Sequence, residues 1–269
     1  MDTKRHYLFN YFTKHHFTHA NSLMTIEVCA YSLQSCQTAQ TAGAHRIELC
    51  GGLAEGGTTP SAGLIQLVCQ QITLPIYVMI RPRGGDFLYT DTELAVMEAD
   101  IRLAKQLGAG GIVLGLLHAD GSVDEERTRH LIELAHPLPA TFHRAFDMTN
   151  QPLEALEAII RTGAERILTS GQQQTAEAGL PLLRQLVEQA AGRIDIMAGA
   201  GVNATNAEAL LEAGVDALHL SGSVRYDSGM IYRHPAVSMA SAVPGEYEQL
   251  ETAEEKVRAV LQKAGLTTQ

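Results

Sequence analysis

Eight short apolar runs recur along the chain, each followed by a longer stretch of helical composition. The runs cover residues 25–30, 46–50, 76–80, 111–117, 140–144, 166–170, 194–198 and 217–221. The first helix is expected to begin at Ser32 or Gln34 and run to Gly43. Further helices are expected over 61–72, 91–107, 124–135, 152–162, 177–191 and 205–213, with the last in the tail 247–261. Gly43, Gly108, Gly163 and Gly214 stand where helices end, as residues that accept a left-handed cap. The run GIVLGLL at 111–117 is apolar on both faces, the pattern of a strand buried in parallel sheet. Parallel neighbours need a crossover, and a helix supplies it. Eight alternations predict an α/β fold, a single-domain TIM-like (β/α)8 barrel; the rival is an open doubly wound sheet. The phrase SVRYDSGMIYRHPAVSMAS after the eighth strand has no clear period and is read as loop.

Polar residues break this pattern at one end of the strands. The first two runs read IEVC and IELC, so Glu27 shares a face with Cys29, and Glu48 with Cys50. The second run leads into the glycine-rich loop GGLAEGGTTP. Arg81 and Arg83 follow the third strand, His143, Arg144 and Asp147 the fifth, Ser170 the sixth, and His219 and Ser221 end the eighth. In a barrel, the loops after the strands form the functional face. A salt-bridge network that plugs the barrel is the plain alternative reading of the charged residues.

Composition narrows the function. The 269 residues are 45% hydrophobic, with 30 acidic against 20 basic side chains and a net charge of −10; the mean hydropathy is −0.02. An acidic chain has no general attraction for phosphate backbones or anionic bilayers, so no nucleic acid or membrane partner is expected. No apolar run approaches the ~18 residues of a membrane span. The cysteines are Cys29, Cys36, Cys50 and Cys69, without the CxxC spacing of structural zinc. That usage suits a reducing, cytoplasmic location. Residues 1–23 hold four of the eleven histidines and no signal-peptide core. They are expected to be a disordered N-terminal extension, with the barrel domain spanning 24–269.

Three sets of residues could carry chemistry. Cys29 and Cys50, on neighbouring strands ~4.8 Å apart, could share one soft Cu(I) ion in near-linear ligation. Buried packing thiols are the alternative, and Cys36 and Cys69 are read that way. Arg81 and Arg83, with Gly199–Gly201 and Ser221–Gly222 in the last two loops, could bind an anion. Glu27, Glu48, His143 and Asp147 could supply acid–base work, with Asp147 orienting His143.

The stretches IEVCAYS, GAHRIELCGGLAEGGTTPS, VMIRPRGGDFLYT, LPATFHRAFDM, RILTSG and IMAGAGV resemble the CutC family, known as copper homeostasis proteins. The resemblance runs from residue 24 to about 233 and is looser beyond. It implies a cytoplasmic TIM-like barrel, a homodimer or higher homo-oligomer, and a role in copper tolerance. The cysteines proposed to bind Cu(I) in that family fall on Cys29 and Cys50. Two functions are therefore carried forward. One is Cu(I) binding through the paired cysteines. The other is a barrel enzyme acting on a small anionic metabolite, phosphorylated metabolites included.

Overall fold

The strands are short and buried on both faces, and all but the last lead into a helix with one apolar stripe. In the computed structural model, which describes residues 24–239 and 244–266, these units close on themselves. In chain order they are β1 (Thr25–Ala30), α1 (Leu33–Ala42), β2 (Arg46–Leu49), α2 (Ala62–Gln71), β3 (Ile76–Met79), α3 (Asp91–Gln106), β4 (Gly111–Leu114) and α4 (Glu125–Ala135). Then follow β5 (Ala140–Phe142), α5 (Pro152–Thr162), β6 (Arg166–Thr169), α6 (Leu180–Ala190), β7 (Asp195–Ala198), α7 (Ala207–Glu212) and β8 (Ala217–Leu220). Strands β1 to β8 form a closed parallel barrel in sequence order. The eight-fold alternation thus gives the TIM-like barrel that the sequence predicts, and the doubly wound sheet is set aside. The expected extension at residues 1–23 lies outside the described residues. Among these, no helix is long and apolar enough to cross a membrane.

Local signals fix the helix ends. The Ser32 side chain accepts from the Ser35 N–H to start α1, and Gly43 closes it at φ 95°. Thr90 and Glu93 form a reciprocal capping box on α3. Two helices start later than their composition suggests, α6 at Leu180 and α7 at Ala207.

The region after β8 departs from the expected loop. Ser223–Asp227 forms β9 and pairs antiparallel with β10 (Glu248–Thr252), and only then does α8 (Glu254–Lys263) begin. The predicted tail helix is therefore part strand. The two strands are only partly buried and far apart in sequence, so neither an apolar face nor a tight turn marks them. Glu251 of β10 accepts from Ser32 and Ser35 at the start of α1, which ties the hairpin to the barrel wall.

Two cores result. The larger lies between strands and helices. The barrel interior is separate, with Cys29, Cys50, Tyr77, Met79 and Val113 on one side and Leu168, Met197 and Ala217 on the other. Charged groups fill the rest of it. Arg46 donates to Glu27, Arg166 pairs with Asp195 at 3.0 Å, and both guanidinium groups stand over the Tyr77 ring, at 4.6 and 5.8 Å. A plug of ion pairs does exist, then, but Arg46 and Arg166 build it rather than Arg81 and Arg83.

Candidate functional site

Strand register assembles the site. Strand β1 sits between β8 and β2, so Glu27 stands beside His219, and Cys29 beside Glu48. The alternation of IEVC and IELC turns Glu27, Cys29, Glu48 and Cys50 inward, where His219 of β8 meets Glu27. The sulfurs of Cys29 and Cys50 are 3.8 Å apart and both cysteines are free. The Cys50 thiol donates to Glu48 Oε2 at 3.5 Å. His219 donates from Nδ1 to Glu27 Oε1 at 2.7 Å, and its Nε2 lies 3.6 Å from Glu48 Oε2. Ligand atoms of Cys29, Glu48 and His219 all lie within 4.8 Å of one another, close enough for one ion.

The electrostatics follow from burial and pairing. Burial would raise the Glu27 carboxyl, but Arg46 and His219 overcome it and hold it at about 2. Burial would likewise push the His219 imidazole down, yet Glu48, Cys29 and Glu27 raise it well above its usual value. The hydrogen bond with Cys50, against the cost of burial, and the adjacent His219 draw the Cys29 thiol well below its ordinary range. Burial and the neighbouring Cys29 push Glu48 upward. The cluster therefore places the Cys29 sulfur, shifted towards its thiolate, beside a His219 imidazole that is shifted towards its protonated form.

Other expected residues divide. Arg81 and His143 line the same cavity as Cys29, Glu48 and His219. Arg83 turns away from the mouth: it donates to Glu93 at 2.5 Å, to Asp86 and to the Leu88 carbonyl. Convergence of Arg81 and Arg83 on one ligand is thus not what the fold builds, because Glu93 of the α3 cap claims the second arginine. Asp147 does not orient His143. Its carboxylate accepts from Arg144, Thr169, Ser170 and Gln172, and so locks the loops after β5 and β6.

The glycines also sort by geometry. Gly201, at φ 72°, and Ser221 line the cavity. A side chain at Gly199 would meet Leu168 at 2.5 Å and His219 at 3.4 Å, so this glycine makes room inside the barrel. Gly222, at φ 54°, packs towards Val257 of α8. The helix after β7 has six residues, and β9 rather than a helix follows β8. Of the two loops read as anion-binding, only the first leads into a helix, and that helix is short.

His143 is buried in a neutral state. Burial and the charge of Arg81 push its imidazole down to about 3. Its Nδ1 accepts from the Ala145 N–H at 3.1 Å. Gly115 gives the ring its space, since a Cβ there would lie 2.5 Å from Nδ1 and 3.0 Å from the Ala145 Cβ. Gly115→Ala is expected to cost about 1–3 kcal/mol by overpacking, read as a lower urea midpoint. An unchanged midpoint would mean that the imidazole has freedom to move.

His219 and Arg46 are the members of the cluster whose importance the sequence understates. Nothing in spacing ties His219 to Glu27, 192 residues away. Its only signal is a polar residue near the end of a strand, ALHLS, a position shared with many structural histidines.

Known proteins align with this barrel. The CutC family model matches residues 24–224. A mouse protein named copper homeostasis protein cutC homolog is 51% identical over 237 residues, 87% of each chain. The human protein of the same name is 49% identical over the same length and shares. The crystal structure of CutC from Streptococcus agalactiae superposes with a TM-score of 0.70 at 35% identity, covering 74% of this chain and 99% of that one. The match spans the eight strands and every residue of the thiol cluster, and the chain belongs to the CutC family.

Proposed function

We propose that this chain serves copper homeostasis by holding Cu(I) on the thiolates of Cys29 and Cys50. The observation that carries the reading is the pair of free sulfurs 3.8 Å apart at the mouth of the barrel. Thiolate is the donor that a soft monovalent ion prefers. Two collinear bonds of the ~2.3 Å found for first-row metal–thiolate bonds span about 4.6 Å. A separation of 3.8 Å suits a bent arrangement better than the near-linear one expected from sequence. A bent pair leaves room for a third donor, and His219 and Glu48 stand beside Cys29. His219 must give up its proton to serve, so ion uptake releases protons. The relatives' names support the same ion. Four free cysteines suit the reducing cytoplasm, and the homo-oligomer implied by the family belongs to this reading.

The alternative, an enzyme that grips a phosphorylated metabolite through two arginines and two glycine loops, has less support. Arg83 is committed to Glu93 and Asp86.

The test is competition for Cu(I) against a chromophoric chelator, with reduced protein. Cys29→Ser and Cys50→Ser should each lose tight binding. Cys36→Ser and Cys69→Ser should keep it, because Cys36 is fully buried in α1 and Cys69 packs in α2, away from the mouth. Equal loss in all four variants, or none in any, would sink the assignment.

A further inference from the structure

The cavity at the mouth has a volume of about 290 Å³, far more than one ion needs. Its lining is also divided. Cys29, Glu48 and His219 line it from β1, β2 and β8, and Arg81 and His143 line it from the ends of β3 and β5. Neither of these two residues has a role in holding the ion.

Arg81 is a buried cation, 7% exposed. It donates to three backbone carbonyls, those of Glu55, Gly57 and Gly85, each at 2.8 Å. Carbonyls satisfy donors but carry no charge. Among the described residues no carboxylate forms an ion pair with Arg81. Its Nε has no hydrogen-bond partner. Burying a guanidinium without an anion is costly, and chains seldom do it without cause.

His143, 4% exposed, repeats the pattern. Nδ1 accepts the Ala145 N–H, so the proton of the neutral ring is assigned to Nε2. That nitrogen is also without a partner. Both residues pack on Phe87, the guanidinium 5.0 Å from the ring centroid and the imidazole also 5.0 Å from it. Two donors, one charged and one neutral, thus pack on the same ring and lack a partner. A neutral imidazole that donates from Nε2 is a good partner for a carbonyl or carboxylate oxygen.

The charge count selects the ligand. One uncompensated positive charge and one neutral N–H fit a planar monoanion. A phosphate monoester would need further cations. Arg144, which also lines the cavity, is taken by Asp147 and Ser170. Met79, Leu168 and Leu220 line other parts of the cavity and suit a short apolar body.

We propose that the barrel mouth carries a second subsite, for a small organic carboxylate paired with the Arg81 guanidinium and the His143 imidazole that line the cavity. This subsite does not depend on the copper reading, since it uses neither sulfur.

The test uses the reduced, metal-free full chain labelled with 15N-histidine. Acetate, pyruvate and succinate are titrated in, with inorganic phosphate in parallel. At least one carboxylate should shift the His143 Nε2 resonance in a saturable way and bind more tightly than phosphate. His143→Gln should weaken that carboxylate about tenfold to a hundredfold, the loss of one hydrogen bond to a charged group. Arg81→Lys, which keeps the charge but loses the fork, should weaken it as well. If Arg81→Lys fails to fold, the His143→Gln result decides. Cys29→Ser should retain carboxylate binding even where it loses Cu(I). The proposal is overturned if no carboxylate moves His143 Nε2, if phosphate binds more tightly, if His143→Gln binds as well as the parent, or if Cys29→Ser abolishes binding.

Discussion

Glu27→Gln is expected to destabilise the folded chain by roughly 3–5 kcal/mol, the cost of breaking a buried ion pair from one side. Glu27 is fully buried and accepts from both Arg46 and His219. Its charge also faces Arg166. An amide in its place leaves these cations inside the barrel without their shared anion, and an amide N–H₂ opposes one of the donors. Urea unfolding of the reduced protein reads the effect as a lower midpoint at constant slope. A cost below about 1 kcal/mol would mean that water reaches the interior and screens the cluster.

Acid should weaken the fold by a comparable amount, and well above the usual carboxylate range. His143 has its folded pKa near 3 against 6.5 for the free side chain. The unfolded chain therefore takes up this proton first as pH falls. Stability is full above 6.5 and declines from there towards 3, by on the order of 5 kcal/mol over the whole interval. Glu27, held at about 2 against 4.5, has the same sign and adds its loss below 4.5. His219 has the opposite sign. Its raised pKa gives a contribution that is complete below 6.5 and is lost as pH rises through its folded value. On these groups stability should therefore be greatest near pH 6.5, where the His143 contribution is complete and the His219 contribution has only begun to fall. His143→Gln should flatten the slope between pH 6.5 and 4.5. If the parent and the variant show the same slope there, His143 is not the group responsible.

The barrel and half of its site are legible in the sequence because both rest on period. Alternation within IEVC and IELC puts Glu27, Cys29, Glu48 and Cys50 on inward faces, and the register between β1 and β2 brings the sulfurs together. What period cannot carry is contact across the closure. His219 meets Glu27 only because β8 pairs with β1. The fates of Arg81 and Arg83 are equally invisible: both follow the same strand, yet one is gripped by loop carbonyls and the other by the capping residue of α3. Asp147 reads as a partner for His143 four residues before it, but the 3-10 turn at Arg144–Met148 points it to the next loop. The hairpin of β9 and β10 escapes because its strands are only partly buried, which weakens the apolar signal that marks a strand.

The seam between β1 and β8 has a consequence for synthesis. Glu27 and His219 are separated by 192 positions in the chain, so their pairing is among the last contacts that a growing polypeptide can make. While the chain emerges from the ribosome, Cys29 and Cys50 are out early, but the imidazole that stands beside Cys29 is not yet made. A nascent chain can thus offer two adjacent thiols without the closed barrel that buries them. The complete donor set arises only when the eighth strand docks on the first. If the sulfurs hold an ion as proposed above, its loading is coupled to completion of the protein, and a truncated product lacking residue 219 would lack the nitrogen neighbour of Cys29.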